Sequence, residues 1–338
     1  MKNILLIKLS ALGDVIHALP VSYAIKETYP DAKLTWVVEP QSQEIVEMNP
    51  CVDEIITFYK KDFKTFRGFW RNLIPFRREI QDEKYDVVLD LQGLFKSAAI
   101  AFFAKSKLKI GTCDMREGSD KISKRIVGEH SAGHVVDRYL DSARAIGCKV
   151  DEVKFPLIIP DEVEIETKEL LASEGVQIDN PYVVFVVGAS WATKRWKAEY
   201  FVAMSEWLYD NRVTPVLVGS GTIDSFIANQ VYDAMEVPPV NLVGRLNLKQ
   251  LAFTLENARL VIGADTGPTH LAVALETRTI MLMGATNPRR TGSYDQQENI
   301  MLVDRPCKIC MKKICPKQAD CLERITPEMV QRKIMEMR

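Results

Sequence analysis

The chain has 338 residues, 47% hydrophobic and 26% charged, which excludes a disordered or fibrous protein and is long enough for two folding units, each with its own core. Its formal net charge of −1 excludes a globally basic nucleic-acid binder, although local basic patches remain compatible with it. The first apolar run, Ile4 to Leu9, is too short for a membrane span or a signal-peptide core, so a cytoplasmic protein with reduced cysteines is expected.

In chain order, Lys2 to Leu9 reads as a buried strand, Ser10-Ala-Leu-Gly13-Asp14 as a turn, Val15 to Lys26 as a helix and Leu34 to Val38 as a second strand. The same grammar continues with Ile55 to Phe58, Tyr85 to Leu91 and a helix from Phe95 to Ala104, the signature of a parallel α/β sheet. Between residues 151 and 169 the chain turns polar and acidic and is broken by Pro156 and Pro160. A second series follows: Tyr182 to Val187, a helix over Ala198 to Asp210, Val213 to Val218, a helix after Gly221, Arg259 to Gly263, a helix from Gly267, and Thr279 to Met283. The expected fold is therefore α/β, with two Rossmann-like domains, residues 1–158 and 159–338, facing across a cleft. Open α/β sheets bind ligands beyond the carboxyl ends of their strands, which directs attention to the loops after Leu9, Val187, Val218, Gly263 and Met283.

The loop after Leu9 has one glycine, Gly13, and a carboxylate, Asp14, where a dinucleotide binder would carry G-x-G-x-x-G, so nicotinamide chemistry is disfavoured. Two readings of this turn stand side by side. Ser10 and Asp14 can serve the N-terminus of the next helix as cap and dipole partner. Alternatively, Asp14 is a general base that takes the proton of an attacking hydroxyl.

In the second half, Gly263-Ala-Asp265-Thr266-Gly267-Pro268-Thr269-His270 ends a strand and opens a helix. Gly267 is small enough for a phosphate to approach, and the free N–H groups of the first turn attract anions. Capping by Asp265 and Thr266 is the plainer explanation of the same residues. Gly188-Ala-Ser190-Trp-Ala-Thr-Lys194-Arg195-Trp196 follows another strand and supplies two cations suited to neutralising a leaving pyrophosphate. The chain has no GxxxxGK[ST] segment and is not a P-loop NTPase.

Taken together with Gly284-Ala-Thr-Asn-Pro288, and in this order and spacing, the SALGD turn, Lys194-Arg-Trp196 and Asp265-Thr-Gly-Pro-Thr-His270 resemble the motif set of glycosyltransferase family 9 over nearly the whole chain. The resemblance implies the two-Rossmann GT-B architecture, with the acceptor on the N-terminal domain and an ADP-sugar mainly on the C-terminal one. It implies Asp14 as catalytic base and Lys194 as the catalytic, phosphate-contacting lysine. Ser190, Asp265, Thr266, Gly267 and His270 would join Lys194 around the donor, with Ser10 and Gly13 on the acceptor side. Transfer would invert the anomeric carbon without a covalent intermediate and without an obligatory cofactor or metal.

Trp36-Val-Val-Glu39 and Asp90-Leu-Gln92-Gly93-Leu94-Phe95-Lys96-Ser97-Ala98 resemble the heptosyltransferase I subgroup of that family. The implied reaction moves heptose from ADP-L-glycero-D-manno-heptose to Kdo-lipid A of the lipopolysaccharide inner core, at the inner face of the inner membrane. Transfer to the first heptose, as in heptosyltransferase II, is the alternative. From Tyr59 to Arg78, Lys60, Lys61, Lys64, Arg67, Arg71, Arg77 and Arg78 alternate with Phe63, Phe66, Phe69, Trp70 and Phe76. This arm is read either as a solvated face or as a surface for the anionic acceptor and the lipid interface. Lys96 and Arg116, with Lys121, Lys124 and Arg125 on an expected helix, are read either as further acceptor contacts or as members of surface ion pairs.

Four of the seven cysteines, Cys307, Cys310, Cys315 and Cys321, crowd near the C-terminus with the density of a structural zinc or iron–sulfur site; reduced thiols or an oxidised pair are the other reading. A nucleotide-sugar 2-epimerase shares this domain plan, but the SALGD turn argues against it. A nucleotide- or metal-binding scaffold would not need Asp14 and Lys194.

Overall fold

The computed structural model describes residues 1–63, 65–317 and 320–337. The chain divides into two compact units, Met1–Ile158 and Ile159–Arg338.

The first unit is built on a parallel sheet of β1 (Asn3–Ile7), β2 (Lys33–Val38), β3 (Glu54–Thr57), β4 (Val87–Asp90), β5 (Leu108–Gly111) and β6 (Lys124–Arg125). Their spatial order is β3-β2-β1-β4-β5-β6. The second is built on β7 (Tyr182–Val186), β8 (Thr214–Val218), β9 (Val240–Asn241), β10 (Leu260–Ala264), β11 (Thr279–Met283) and β12 (Ile300–Leu302), ordered β12-β11-β10-β7-β8-β9. Counted within its own unit, each sheet runs 3-2-1-4-5-6, the doubly wound Rossmann order, as expected.

The central strands are apolar because helices cover both faces of a parallel sheet. Ile4, Leu5, Leu6 and Ile7 of β1 are fully buried, and all five residues of β7 are buried. Helices add one apolar stripe each: Ala198–Asp210 buries Phe201, Met204, Ser205 and Leu208, positions three and four apart on one face. Phe201 meets Phe185 of β7 and Trp196 edge-on, with ring centroids 5.5 and 5.1 Å away.

Two local expectations are corrected. The helix expected over Val15 to Lys26 is two helices, Leu12–Ile16 and Leu19–Thr28. Pro20 is the second residue of the latter; it has no N–H, and inside a continuous helix its ring would press on the carbonyl of Ile16. Lys121, Lys124 and Arg125 do not share a helix either. Lys121 ends a short turn, Ser119–Lys121, while Lys124 and Arg125 pair as β6 with Ile110 and Gly111. The open edge of β5 has backbone groups to satisfy, and that demand outweighs a weak local helical pattern.

Each sheet reverses its winding between its first and fourth strands, at β1/β4 and at β7/β10. The loops leaving those four strands are where such sheets collect ligands.

Candidate functional site

At the first switch point, the turn after β1 is braced from the loop after β4. The Gln92 side-chain oxygen accepts the N–H groups of both Leu9 and Ser10 at 3.1 Å. Gln92 is itself set by Asp90, whose fully buried carboxylate accepts from the N–H groups of Gln92 and Gly93 and from the Ser97 hydroxyl at 2.9–3.1 Å. Burial pushes the Asp90 carboxyl up from its ordinary range despite these donors. Gly93 sits at φ +63°, and a Cβ there would press on Met115, so the tight return of this loop needs glycine.

Asp14 is the third residue of the helix Leu12–Ile16, with its side chain 46% exposed. Its Oδ2 accepts the Ala11 N–H at 3.3 Å and lies 3.9 Å from Lys8 Nζ. The cap position belongs to Ala11 rather than to Ser10. The Ser10 hydroxyl instead receives Lys96 Nζ at 3.3 Å. Lys96 is drawn chiefly to buried Glu39, 2.5 Å away, whose other oxygen accepts from Gln41 at 3.0 Å. Gly13 stands beside Asp14 in the same short helix.

The remaining described candidates of the first unit lie outward. Lys60 is exposed in the turn Lys60–Phe63, and Arg67 is exposed at the start of the helix Phe66–Gln81. Lys64 lies outside the described residues. Arg116 is exposed, its backbone N–H held by the Gly93 carbonyl at 2.8 Å. Two aromatics of the arm face inward rather than outward: Phe63 and Phe76 pack on Phe58 with centroids 5.1 and 5.2 Å away, and Phe76 is buried.

At the second switch point, Lys194 closes the turn Ala192–Lys194 after β7, and Asp265 follows β10. Lys194 Nζ donates to the Asp265 carboxylate at 2.9 Å and to its backbone carbonyl at 2.7 Å. The other carboxylate oxygen meets His270 Nε2 at 2.8 Å, and the Thr291 hydroxyl donates to the first at 3.1 Å. Asp265 and His270 are each 5% exposed. Burial opposes the charge on Asp265, but His270 and Lys194 overcome it and hold the carboxyl well below the usual carboxylate range.

Thr266 occupies the N-cap position of the helix Gly267–Ala274 and makes no side-chain cap; its hydroxyl pairs with Thr269 at 3.2 Å. Gly267, Pro268 and Thr269 form the first turn, in which the Gly267 and Thr269 N–H groups have no intrahelical acceptor and suit an anion. Ser190 is exposed in the loop before Lys194, and Arg195 Nε donates to the Ala189 carbonyl at 2.9 Å. Lys194 also lies over the Trp191 ring, 4.9 Å from its centroid.

The metal reading of the cysteines finds no support among the described residues. Among the described residues, no group of three or more His, Cys, Asp or Glu side chains is gathered to hold a metal ion, and no two cysteines form a disulfide. The backbone around Cys310 serves another purpose: Ile309 and Met311 donate to the carbonyls of Gly284 and Ala285 at 2.8 Å. Two residues further on, the Lys312 and Lys313 carbonyls accept from Thr193, beside Lys194. Cys310 is exposed on this strap, whereas a Cβ on Gly284 would meet the Cys321 sulfur. The segment that carries the thiols thus braces the neighbouring loops, and burial, with Cys310, Cys315 and Cys307 nearby, pushes the Cys321 thiol up.

Sequence reasoning missed Lys8, Tyr139 and Thr291. Lys8 carried a signal, being the charged residue that interrupts the apolar run ending β1. Tyr139 and Thr291 lie far along the chain and carried none.

Residues 73–320 match the model of glycosyltransferase family 9 (heptosyltransferase). Lipopolysaccharide heptosyltransferase 1 of Pseudomonas aeruginosa is 29% identical to the chain over 323 residues, covering 94% of this chain and 88% of the relative. The solved glycosyl transferase family 9 structure from Veillonella parvula aligns with a TM-score of 0.87 at 24% identity, covering 99% of this chain and 96% of that one. The structure of E. coli heptosyltransferase WaaC with ADP aligns with a TM-score of 0.78 at 23% identity, covering 99% of both. At these identities the two structural likenesses speak to the fold.

Proposed function

Because the chain belongs to glycosyltransferase family 9, we propose that it transfers heptose from ADP-heptose to the lipopolysaccharide inner core, with Kdo-lipid A as acceptor and inversion at the anomeric carbon. The observation that carries this reading is the pair of switch points, one presenting a carboxylate, Asp14, and the other an ammonium, Lys194, beside a helix N-terminus.

In this reading the second unit binds the donor. The Lys194 ammonium, fixed by Asp265, and the first-turn N–H groups at Gly267 meet the diphosphate, where negative charge grows as the sugar–phosphate bond breaks. His270 holds the far side of Asp265, and Ser190 flanks the same loop. On the first unit, Asp14 takes the proton of the acceptor hydroxyl as that oxygen bonds to the anomeric carbon and ADP leaves. The charge facing the leaving group comes from Lys194 and the backbone, so no step calls on a metal. A 2-epimerase has no need of a separate acceptor base, and that rival gives way to the family match.

The acceptor is anionic and lipid-anchored, so the enzyme works peripherally at the cytoplasmic membrane surface. Among the described residues no helix is long and apolar enough to cross a membrane. Exposed Lys60, Lys61 and Arg67, with Arg116 and the Ser10–Lys96 pair, support an acceptor-facing role for the first unit. Incubation with ADP-heptose and heptose-deficient lipopolysaccharide tests the whole reading. ADP released in step with a heptose mass added to the acceptor is the expected result; ADP release independent of acceptor, or none, would overturn it.

A further inference from the structure

Lys8 is a buried cation that the reading above leaves without a task. It follows β1, is 2% exposed, and is held at both ends. Its backbone N–H donates to the Val37 carbonyl at 3.2 Å, and its own carbonyl accepts from the Trp36 indole at 3.1 Å. Its Nζ donates to the Tyr139 hydroxyl at 2.8 Å and to the Leu91 carbonyl at 3.3 Å. Tyr139, on the helix Val135–Arg144, is itself buried.

A buried ammonium is costly unless an anion compensates it, and replacement by an apolar side chain of similar size is often neutral or stabilising. Burial alone would lower the Lys8 pKa, but Tyr139 and Asp14 outweigh it and hold it above the ordinary ammonium range. Asp14 is the carboxylate within ion-pair distance, at 3.9 Å. Buried Asp90 is the next nearest influence, and its oxygens are already taken by Gln92, Gly93 and Ser97. Both contacts that orient Asp14, from Lys8 and from the Ala11 N–H, fall on Oδ2, which leaves Oδ1 to accept from a substrate. Without them a half-exposed aspartate would sample its rotamers freely.

We propose that Lys8, steadied by the Tyr139 hydroxyl, is the positioning residue of the reaction: it supplies the counter-charge that orients Asp14 toward the acceptor hydroxyl. This rests on Asp14 being the base. Misplacing a reacting group by about 1 Å can cost 10²-fold in rate, which sets the scale of the effect.

The test is a double-mutant cycle on the full chain with ADP-heptose and heptose-deficient lipopolysaccharide. Lys8→Met is expected to lower kcat by about 10- to 100-fold, with both KM values within about twofold of wild type, and Lys8→Arg to recover most of the loss. In an Asp14→Asn background, Lys8→Met is expected to cost nothing further, since it acts through the missing carboxylate. A kcat unchanged by Lys8→Met, equal losses in both backgrounds, or a rise in acceptor KM that matches the fall in kcat would overturn the proposal in favour of a structural role. Asp14→Asn with wild-type turnover would instead remove the base assignment, and the positioning role with it. If Lys8→Met does not fold, Tyr139→Phe decides: a several-fold loss of kcat in the wild-type background alone supports the proposal, and an unchanged kcat overturns it.

Discussion

Lys194 donates to Asp265 twice, to the side chain at 2.9 Å and to the main-chain carbonyl at 2.7 Å, across 71 positions of sequence. The double contact joins the loops that leave β7 and β10. It also fixes the ammonium beside the first turn of the helix Gly267–Ala274. A lysine free in solution would lose side-chain entropy on meeting a diphosphate; one already held has lost much of it on folding.

On the proposed role of Lys194, in which its charge meets the diphosphate both before and during bond breaking, substituting it by alanine should weaken donor binding and slow turnover together. A loss in kcat/KM of about 10²–10³ is expected from the removal of one such donor. Steady-state kinetics and calorimetric titration with ADP measure the two effects. Wild-type values in both would take Lys194 out of the site.

Asp265→Asn should destabilise the second unit, since it leaves Lys194 and His270 facing a neutral amide. Breaking a buried pair by removing one partner costs about 3–5 kcal/mol. The sign with pH follows from the lowered carboxyl of Asp265. Its stabilisation is complete above about pH 4, where an aspartate in the unfolded chain is ionised, and fades as pH falls toward the depressed folded value. Melting curves of wild type and variant should thus be far apart at neutral pH and draw together under acid; a gap independent of pH would contradict the charged role.

Neutralising Lys60 and Arg67 together should raise the acceptor KM and flatten its dependence on salt. Both are exposed, and attraction between exposed charges is screened beyond about 8 Å at physiological ionic strength. Donor KM should be spared, since the proposed donor loops, at Lys194 and Asp265, belong to the other unit. A doubly neutralised variant that keeps the wild-type acceptor KM across a salt series would reduce the arm to solvated surface.

Cys148 should resist alkylation in the native protein at pH 8 while Cys310 reacts. Burial pushes the Cys148 thiol up to about 11, so little thiolate is present, whereas Cys310 is exposed on the strap. Mass spectrometry after timed iodoacetamide treatment reads the order. Equal labelling before denaturation would contradict it.

Much of the architecture was legible because it rests on short-range pattern. Uninterrupted apolar runs such as Ile4 to Ile7 and Tyr182 to Val186, bounded by turn residues, read as central strands of a covered parallel sheet, and the stripe Phe201, Met204, Leu208 as a helix packed on one side. Pro20 held the signal for the break at His17–Ala18, although helical spacing on either side masked it. The loop motifs marked the turns that leave β1 and β10, although the same glycines and carboxylates can also serve as helix caps.

Partnership was a different matter. The sequence alone determined that Lys8 is a charge at the end of an apolar strand, that Lys96 follows a Gly93 turn and that four cysteines share a short segment. Only the tertiary structure decided that Lys8 meets Tyr139 and Asp14, that Lys96 turns to Glu39, and that the cysteine segment braces the loops of Gly284 and Thr193. The reason is physical: strand and helix propensities act over a few residues, but a buried charge takes whichever opposite charge the packed sheets bring within reach, and that is set by strand order.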